Sequence, residues 1–403
     1  MRRPLEGLKV LDLTHGVAGP YCTMVLGDLG CDIIKIEKPG RGDATRYMNV
    51  SEKFHSDIPR VGGDYFLAIN RNKRAITLEM KSPEGRKICE ELAAWADIVV
   101  QNFRPGVTAR LGLDYESLRK INPRLIYGNI SGYGMDGSMS DKAGMDIAVQ
   151  ARAGLLSITG AADSTEPVRP GSSLSDFGGG IYLVTALLTA LYDRERTGVG
   201  QEVSVSLLDA TMSFLINYSV AVMDGQADIK PLGSGHPQLA PYQALPTADG
   251  YVVVATGTNK IYREFCVALG RPDLVDEPAF ASNQSRVKNR KALVEKLSAQ
   301  FLGKTTDAWI EILEAADIPC APVNTLQTAF DELGHTSPGM TQKVEHPALG
   351  QLSQLGVPFH FSNCKGDIRR PPPMLSEHTD SVLHEVLGRS DAQIAQLRQA
   401  KVI

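Results

Sequence analysis

The stretch Lys9-Val10-Leu11-Asp12-Leu13-Thr14 decides the fold of this chain. It is a short β-rich run, and the glycine turn Gly16-Val17-Ala18-Gly19-Pro20 follows it directly. Residues 21–29 then show helical periodicity, and Asp32-Ile33-Ile34-Lys35-Ile36-Glu37 again has the composition of a strand. A strand, a helix and a strand in this order predict a βαβ unit.

Further strands are predicted at residues 76–80, 98–103 and 124–131. Between the first two, Ser82 and Pro83 have the pattern of a helix N-cap followed by proline at the first helical position. The predicted fold class is α/β, with an open, doubly wound, mostly parallel Rossmann-like sheet in a large domain.

A second, smaller α/β domain is predicted after a change in composition. Residues 225–246 hold three glycines and four prolines, which is typical of a linker or loop, and a new strand starts at Tyr251. The expected division is the N-terminal part of a large domain at 1–205, a linker helix and loop at 206–246 and a small α/β domain at 247–335. Residues 336–403 are expected to form a return linker and the C-terminal part of the large domain.

Composition excludes several functional classes. The chain has 403 residues with 43% hydrophobic and 22% charged residues, and its net charge of -4 does not suit nucleic acid. No uninterrupted apolar run approaches the ~20 residues that span a bilayer, and the first residues lack the apolar region of a secretory signal, so a cytoplasmic location is expected. Six cysteines without a CxxC pair and eight single histidines give no metal signature.

Two segments suggest a phosphorylated ligand, each with a competing explanation. The turn after the first strand, with Glu37 further on, imitates a dinucleotide fingerprint, but its GxxGP spacing also suits a tight turn. The basic run Asn70-Arg71-Asn72-Lys73-Arg74 and the run Asn102-Phe103-Arg104 lie where loops of an α/β sheet line a crevice. From charge alone, a solvated surface run is the favoured explanation of these cations.

The segment Ser175-Asp176-Phe177-Gly178-Gly179-Gly180 opens a long apolar helix. Asp176 has the pattern of an N-cap, and the glycines would also leave its carboxylate accessible, with backbone amides free to stabilise an oxyanion. The two interpretations are compatible. In the loop Gly233-Ser234-Gly235-His236-Pro237, substrate contact and plain turn formation are both compatible with the residues.

Taken in order, these segments resemble the family III CoA-transferases. The ordered matches span nearly the whole chain and include Leu8-Lys9-Val10-Leu11-Asp12-Leu13-Thr14-His15, Ile34-Lys35-Ile36-Glu37, Asn72-Lys73-Arg74, Asn102-Phe103-Arg104-Pro105-Gly106, Ile130-Ser131-Gly132-Tyr133-Gly134, Arg196-Thr197-Gly198-Val199-Gly200-Gln201, Ile318-Pro319-Cys320-Ala321-Pro322-Val323 and Glu377-His378-Thr379. The resemblance implies an interlocked homodimer in which the C-terminal tail completes the large domain.

The resemblance also implies the chemistry and the site. The carboxylate of Asp176 attacks an acyl-CoA to form a mixed anhydride and then an aspartyl-CoA thioester, with no metal or prosthetic group. Coenzyme A contacts are implied for Val17, Lys38, Arg71, Asn72, Lys73, Arg74, Asn102, Phe103, Arg104 and Asp146. Contacts to the acyl-CoA or the small carboxylic acid are implied for His15, Gly178, Gly179, Gly235 and His236.

An α-methylacyl-CoA racemase is the alternative, because that enzyme shares the Asp-Phe-Gly-Gly-Gly segment. The racemase pattern has a histidine before the aspartate matched by Asp146, and this chain has Met145, which cannot accept a proton. Val17, Lys38 and the loop at 233–236 depart from formyl-CoA transferase, so oxalate and formate are not expected. Small dicarboxylates or hydroxy-dicarboxylates are the expected acids.

Overall fold

The computed structural model describes residues 1–52 and 60–403, which divide into two units. The first unit contains Met1–Ala153, Pro170–Val220 and Gly334–Ile403, and the second contains Gly154–Arg169 and Ala221–Leu333. Residues 206–220, predicted as linker, therefore belong to the first unit. Residues 154–169 join the second unit, which sequence periodicity did not indicate.

The strands and helices of the described residues have the following bounds. The strands are β1 Lys9–Asp12, β2 Asp32–Glu37, β3 Lys73–Thr77, β4 Ile98–Gln101, β5 Ile126–Ser131, β6 Glu202–Ser206, β7 Tyr242–Pro246, β8 Tyr251–Ala255, β9 Cys320–Pro322, β10 Thr341–His346 and β11 Gly350–Leu355. The helices are α1 Ala18–Asp28, α2 Asp64–Ile69, α3 Pro83–Trp95, α4 Val107–Leu111, α5 Tyr115–Leu118, α6 Asp146–Arg152, α7 Leu155–Ile158, α8 Leu174–Thr197, α9 Leu207–Ser213, α10 Ile216–Met223, α11 Asn259–Ala268, α12 Asp273–Asp276, α13 Asn283–Lys288, α14 Arg290–Phe301, α15 Thr306–Ala315, α16 Leu326–Thr336, α17 Thr379–Glu385 and α18 Asp391–Gln399.

A six-stranded parallel sheet in the order β3-β2-β1-β4-β5-β6 forms the centre of the first unit. Val10 of β1 pairs with Ile33 of β2 on one side and with Ile98 of β4 on the other. The strand order reverses between β1 and β4, and in doubly wound sheets ligands bind in the crevice outside the carboxyl ends of such strands. The predicted α/β fold with a Rossmann-like sheet is confirmed.

Helices cover both faces of this sheet. Val10 and Ile33 pack on the face covered by α1 and α8, whereas Leu11 and Ile34 pack on the face that carries α3, α17 and α18. Successive strand residues point to opposite faces of the sheet. Because helices cover both faces, both sets of side chains are buried, and the strand sequences are continuous apolar runs.

Strand β3 differs from its predicted position. It spans Lys73–Thr77 instead of 76–80, because Lys73 and Arg74 are buried in ion pairs with Asp12 of β1 and Asp32 of β2. An apolar pattern does not include charged residues, so the start of the strand escaped detection. The N-cap of α3 is as predicted, since the hydroxyl of Ser82 accepts a hydrogen bond from the Gly85 amide at 3.0 Å.

Helix α8 is the longest helix of the first unit. Its length and apolar composition alone would let it cross a membrane, but half of its most apolar stretch is buried inside the protein. Leu183, Val184 and Leu187 pack in the same core cluster as β1 and β5. Burial against the sheet accounts for the apolar character of this helix.

The C-terminal segment returns to the first unit. The His378 amide donates to the Ala75 carbonyl at 3.0 Å, and the Glu79 amide donates to the Val402 carbonyl at 2.7 Å. Before this return, β10 and β11 form an antiparallel hairpin inside the region predicted as a plain linker. The return of the tail to the sheet follows the resemblance, whereas the hairpin was not foreseen.

The second unit has its own sheet and core. Strands β7, β8 and β9 pair antiparallel, and α11, α14 and α15 pack on them through Phe265, Leu297 and Trp309. Helix α15 spans Thr306–Ala315, and the hydroxyl of Thr305 caps its N-terminus. The expectation of a smaller α/β body is therefore met.

Candidate active site

Asp176 lies in the first turn of α8 and is half-buried. The N-cap of this helix is Ser173, two residues before the position at which the sequence suggested that the helix starts. Asp176 is thus not itself the N-cap. A carboxylate in the first helical turn is stabilised as the anion by the helix dipole.

Asp146, at the start of α6, holds the same turn of α8. Its Oδ1 accepts hydrogen bonds from the amides of Ser175 at 3.0 Å and Asp176 at 3.4 Å. The carboxylate therefore occupies the end of α8, where backbone amides have no partner inside the helix. The implied coenzyme A contact of Asp146 would have to coexist with this structural contact.

The three glycines after Phe177 serve close packing. A Cβ at Gly178 would overlap the ring of Phe214, one at Gly179 would lie 2.5 Å from Leu207, and one at Gly180 would lie 2.8 Å from the Ala18 carbonyl. As interior residues of α8, their amides make the i to i−4 hydrogen bonds of the helix. The expectation that the Gly178 and Gly179 amides are free for an oxyanion is wrong for this reason.

A pocket of about 460 Å³ opens at the carboxyl ends of β1 to β4. It lies where the strand order predicts a ligand crevice. It is lined by side chains of β2, of α4 and of the loops after β1 to β4: Leu13, Thr14, His15, Lys35, Ile36, Glu37, Lys38, Arg41, Asp43, Leu78, Glu79, Met80, Lys81, Phe103, Val107 and Leu111. The chain passes from His15 through Gly16 into α1, where Tyr21 meets Phe177 with ring centroids 4.9 Å apart. The loop that borders the pocket thus leads to the turn that carries Asp176.

The pocket wall combines exposed cations with a buried ion pair. Lys38, Arg41 and Lys81 line it with exposed side chains. Beneath them Lys35 Nζ lies 3.0 Å from Asp43 Oδ2, and both side chains are inaccessible. Burial alone would raise the pKa of Asp43, but Lys35 and two backbone amides lower it to about 2. The exposed cations can bind an anionic ligand while the buried pair fixes the loops.

Several predicted site residues meet at this pocket. His15 and Asn102 join the loops after β1 and β4, because the His15 amide donates to Asn102 Oδ1 at 3.0 Å and Asn102 Nδ2 donates to the His15 carbonyl at 2.6 Å. The His15 ring lies 5.2 Å from that of Phe103. Local desolvation, together with Lys35, lowers the pKa of His15, which favours the neutral ring. Arg104 follows with an exposed side chain.

The basic run at 71–74 is placed differently from the expectation. Arg71 pairs with Asp28 at 2.7 Å, Lys73 with Asp12 at 3.1 Å and Arg74 with Asp32 at 2.6 Å. The Asn72 amide group donates to Asp28 at 2.8 Å. These side chains are buried, and their contacts hold the sheet and its helices together. They are therefore neither free to bind phosphates nor part of a solvated surface. Of the cations expected to contact coenzyme A, Lys38 and Arg104 have exposed side chains in the described structure.

The remaining predicted residues have local roles in their own units. Val17 is the half-buried N-cap of α1. In the second unit the His236 amide donates to the Tyr242 carbonyl at 3.0 Å, and Arg290 Nη2 donates to the His236 carbonyl at 2.6 Å. Gly235 sits beside this arginine. The loop at 233–237 is therefore anchored from within the second unit.

Sequence reasoning missed Lys35, Arg41, Asp43 and Lys81 as pocket residues. All of them lie in or just after predicted strands, and that position was the available signal. Among residues 1–52 and 60–403, no group of three or more His, Cys, Asp or Glu side chains is placed to hold a metal ion.

Comparisons with known proteins agree with this architecture. A sequence model of CoA-transferase family III matches residues 5–379. A succinyl-CoA:glutarate CoA-transferase of Mus musculus is 39% identical over 401 residues, covering 100% of this chain and 90% of that protein. A formyl-CoA:oxalate CoA-transferase of Rhodopseudomonas palustris is 32% identical, covering 99% of this chain and 97% of that protein. A CAIB/BAIF family protein from Brucella suis superposes with a TM-score of 0.83 at 34% identity, covering 96% of this chain and 100% of that one. With this match along nearly its whole length, the chain belongs to CoA-transferase family III and is a CoA-transferase.

Proposed function

We propose that this enzyme moves coenzyme A from an acyl-CoA to a small dicarboxylate or hydroxy-dicarboxylate, with Asp176 as the nucleophile. The observation that carries the proposal is the position of Asp176 in the first turn of α8, half-buried and held by Asp146. The succinyl-CoA:glutarate relatives support the choice of dicarboxylates, because both acids in those names carry two carboxyl groups.

The proposed reaction conserves an activated acyl bond in each step. An oxygen of Asp176 attacks the thioester carbonyl, the C–S bond breaks, and a mixed anhydride and the CoA thiolate result. The thiolate attacks the aspartyl carbonyl, releasing the first acid as a carboxylate and leaving an aspartyl-CoA thioester. The acceptor carboxylate displaces the thiolate to form the second anhydride. The thiolate then attacks the acceptor acyl carbon and frees Asp176, so that no net proton is consumed.

The pocket at the carboxyl ends of β1 to β4 is the proposed site of the nucleotide part of coenzyme A. Lys38, Arg41 and Lys81 supply positive charge for phosphates, and the accessible rings of His15 and Phe103 supply flat surfaces for a base. Arg104 adds a further exposed cation after β4. This division of roles separates the nucleotide pocket from the turn that carries Asp176.

A racemase is less well supported. Met145 occupies the N-cap position of α6 with 70% of its surface exposed, and its thioether cannot take up an α-proton. Incubation with a 2-methylacyl-CoA in deuterated water distinguishes the two activities. A transferase leaves the α-carbon free of deuterium, whereas a racemase incorporates it.

We also infer a homodimer. Met212 of α9, Phe214 just after it, and Ile216 and Val220 of α10 expose 50%, 50%, 74% and 69% of their surfaces. Exposed large apolar side chains close together in the chain suit a protein interface, and the family resemblance implies an interlocked pair of chains. Sedimentation should give twice the chain mass. The cytoplasmic location stays a prediction.

The proposed function is tested by offering succinyl-CoA with glutarate, a hydroxy-dicarboxylate, oxalate or a monocarboxylate and following new acyl-CoA by mass spectrometry. We expect transfer to the dicarboxylates of intermediate length, and its loss in Asp176→Ala. Asp209→Ala is the matched control, since Asp209 is an exposed carboxylate in the first turn of α9. Normal transfer by Asp176→Ala, or no transfer to any dicarboxylate, would refute the proposal.

A further inference from the structure

Gln150 is a fully buried polar residue on α6 that none of the steps above uses. Its side chain is 0% exposed, although the amide group is costly to bury without partners. The Nε2 group donates a hydrogen bond of 2.8 Å to Oδ2 of Asp146. The two residues are four positions apart on one helix, so their side chains lie on the same face.

This hydrogen bond continues directly into the turn that carries the nucleophile. Gln150 holds Oδ2 of Asp146, while Oδ1 of the same carboxylate accepts from the amides of Ser175 and Asp176. The orientation of the Asp146 carboxylate is therefore fixed at both oxygens. Rotation of this carboxylate would weaken its contacts to both amides at once.

A second contact, from α9, holds the side chain of Ser175. Thr211 Oγ1 donates to Ser175 Oγ at 2.7 Å, and both side chains are fully buried. The neighbouring residue Val149 packs in the same core cluster as Leu183 and Val184 of α8. The backbone at 175–176 is thus held by side chains from two helices, and the Asp176 carboxylate projects from a fixed support.

We propose that Gln150 is a positioning residue for Asp176, acting through Asp146. The proposal rests on the proposed function, in which Asp176 is the nucleophile. Attack on a thioester requires the carboxylate oxygen close to the carbonyl carbon and correctly directed, and small displacements of such groups reduce rates strongly. Gln150 touches no reacting atom in this scheme, so its effect is expected on the attack step and not on acyl-CoA binding.

The test measures the single-turnover rate at which Asp176 becomes acylated, together with kcat and the KM for succinyl-CoA. Gln150→Met keeps the length of the side chain and removes its hydrogen bonds. We expect the acylation rate to fall about tenfold or more, by analogy with other displaced catalytic groups, and the KM to stay at the wild-type value. Gln354→Met is the matched control, because Gln354 is also a buried glutamine, but its Nε2 donates to the Leu67 carbonyl at 3.2 Å and not to Asp146.

A double-mutant cycle separates positioning through Asp146 from a general packing role. If Gln150 acts through Asp146, Asp146→Ala combined with Gln150→Met is no slower than Asp146→Ala alone. Asp146→Asn should retain more activity than Asp146→Ala. The Oε1 of Gln150 has no hydrogen-bond partner among the described residues. In Asp146→Asn, rotation of the Gln150 amide group can direct this oxygen toward the Nδ2 group of the introduced asparagine.

The outcomes are distinguishable. A wild-type acylation rate in Gln150→Met, or additive losses in the cycle, overturns the positioning role while leaving the proposed function intact. If Gln150→Met does not fold, Gln150→Asn, whose amide group is retracted by one methylene, is measured instead against the same criteria. Absence of any adduct at Asp176 in the wild-type enzyme overturns both.

Discussion

Replacing Lys73 by methionine tests whether the basic run is part of the core or part of the coenzyme A site. Lys73 Nζ donates to Asp12 at 3.1 Å, to the Pro20 carbonyl at 2.8 Å and to Asn70 at 2.9 Å, and the side chain is inaccessible. Removing one partner of a buried ion pair leaves an uncompensated charge and costs about 3–5 kcal/mol. Burial lowers the pKa of Lys73 to about 8 against the attraction of Asp12, so the measurement belongs at neutral pH.

The assay is urea unfolding of Lys73→Met, paired with the coenzyme A affinity of the folded variant. We expect a loss of about 3–5 kcal/mol in the free energy of unfolding, with unchanged affinity. Lys81→Met, an exposed cation of the pocket wall, should show the opposite pattern. The double variant Lys73→Met/Asp12→Leu should regain stability relative to Lys73→Met. A Lys73→Met enzyme of wild-type stability that binds coenzyme A weakly would refute the assignment.

Three further predictions address the pocket, its floor and α8. Lys81→Ala should weaken coenzyme A binding by about 10- to 100-fold through loss of a contact worth about 1.5–3 kcal/mol, and titration at two salt concentrations checks this. The pKa of Asp43 is lowered to about 2 in the folded state. Its stabilising contribution is therefore present above about pH 4 and is lost as the pH falls toward 2. Asp43→Asn should reduce the acid-induced loss of unfolding free energy by about 2–3 kcal/mol, and a wild-type pH profile would contradict this. Gly180→Ala should cost about 1–3 kcal/mol, because the new Cβ meets the Ala18 carbonyl, whereas Gly171→Ala, in open space, should be neutral in thermal unfolding.

The sequence was sufficient for the sheet and for its order of secondary structure. Neighbouring apolar residues such as Val10 and Leu11 lie on opposite faces of a buried strand, and both positions are apolar in the sequence. The Ser82-Pro83 pair marks the start of α3. The sequence was not sufficient to place strands that contain buried charged side chains. Lys73 and Arg74 belong to β3 only because Asp12 and Asp32 compensate them, and a local pattern contains no information about such distant partners.

The site was predicted in part for a similar reason. Phe103 was predicted from its position at the end of a strand, whereas His15 and Lys38 were implied by the family resemblance, and the structure gathers all three around one pocket. The glycines after Asp176 were misinterpreted, because their need for small size arises from Phe214, Leu207 and Ala18, which are remote in sequence. The support that Asp146 gives to α8 likewise depends on a contact across 30 positions.

The central claim is covalent catalysis by Asp176. Wild-type enzyme is incubated with succinyl-CoA without acceptor, treated with hydroxylamine and digested, and the peptide containing Ser175, Asp176 and Phe177 is analysed by mass spectrometry. The account predicts a hydroxamate at Asp176 that forms only in the presence of the acyl-CoA and is absent in Asp176→Ala. A fully active preparation in which Asp176 stays unmodified under these conditions would contradict it.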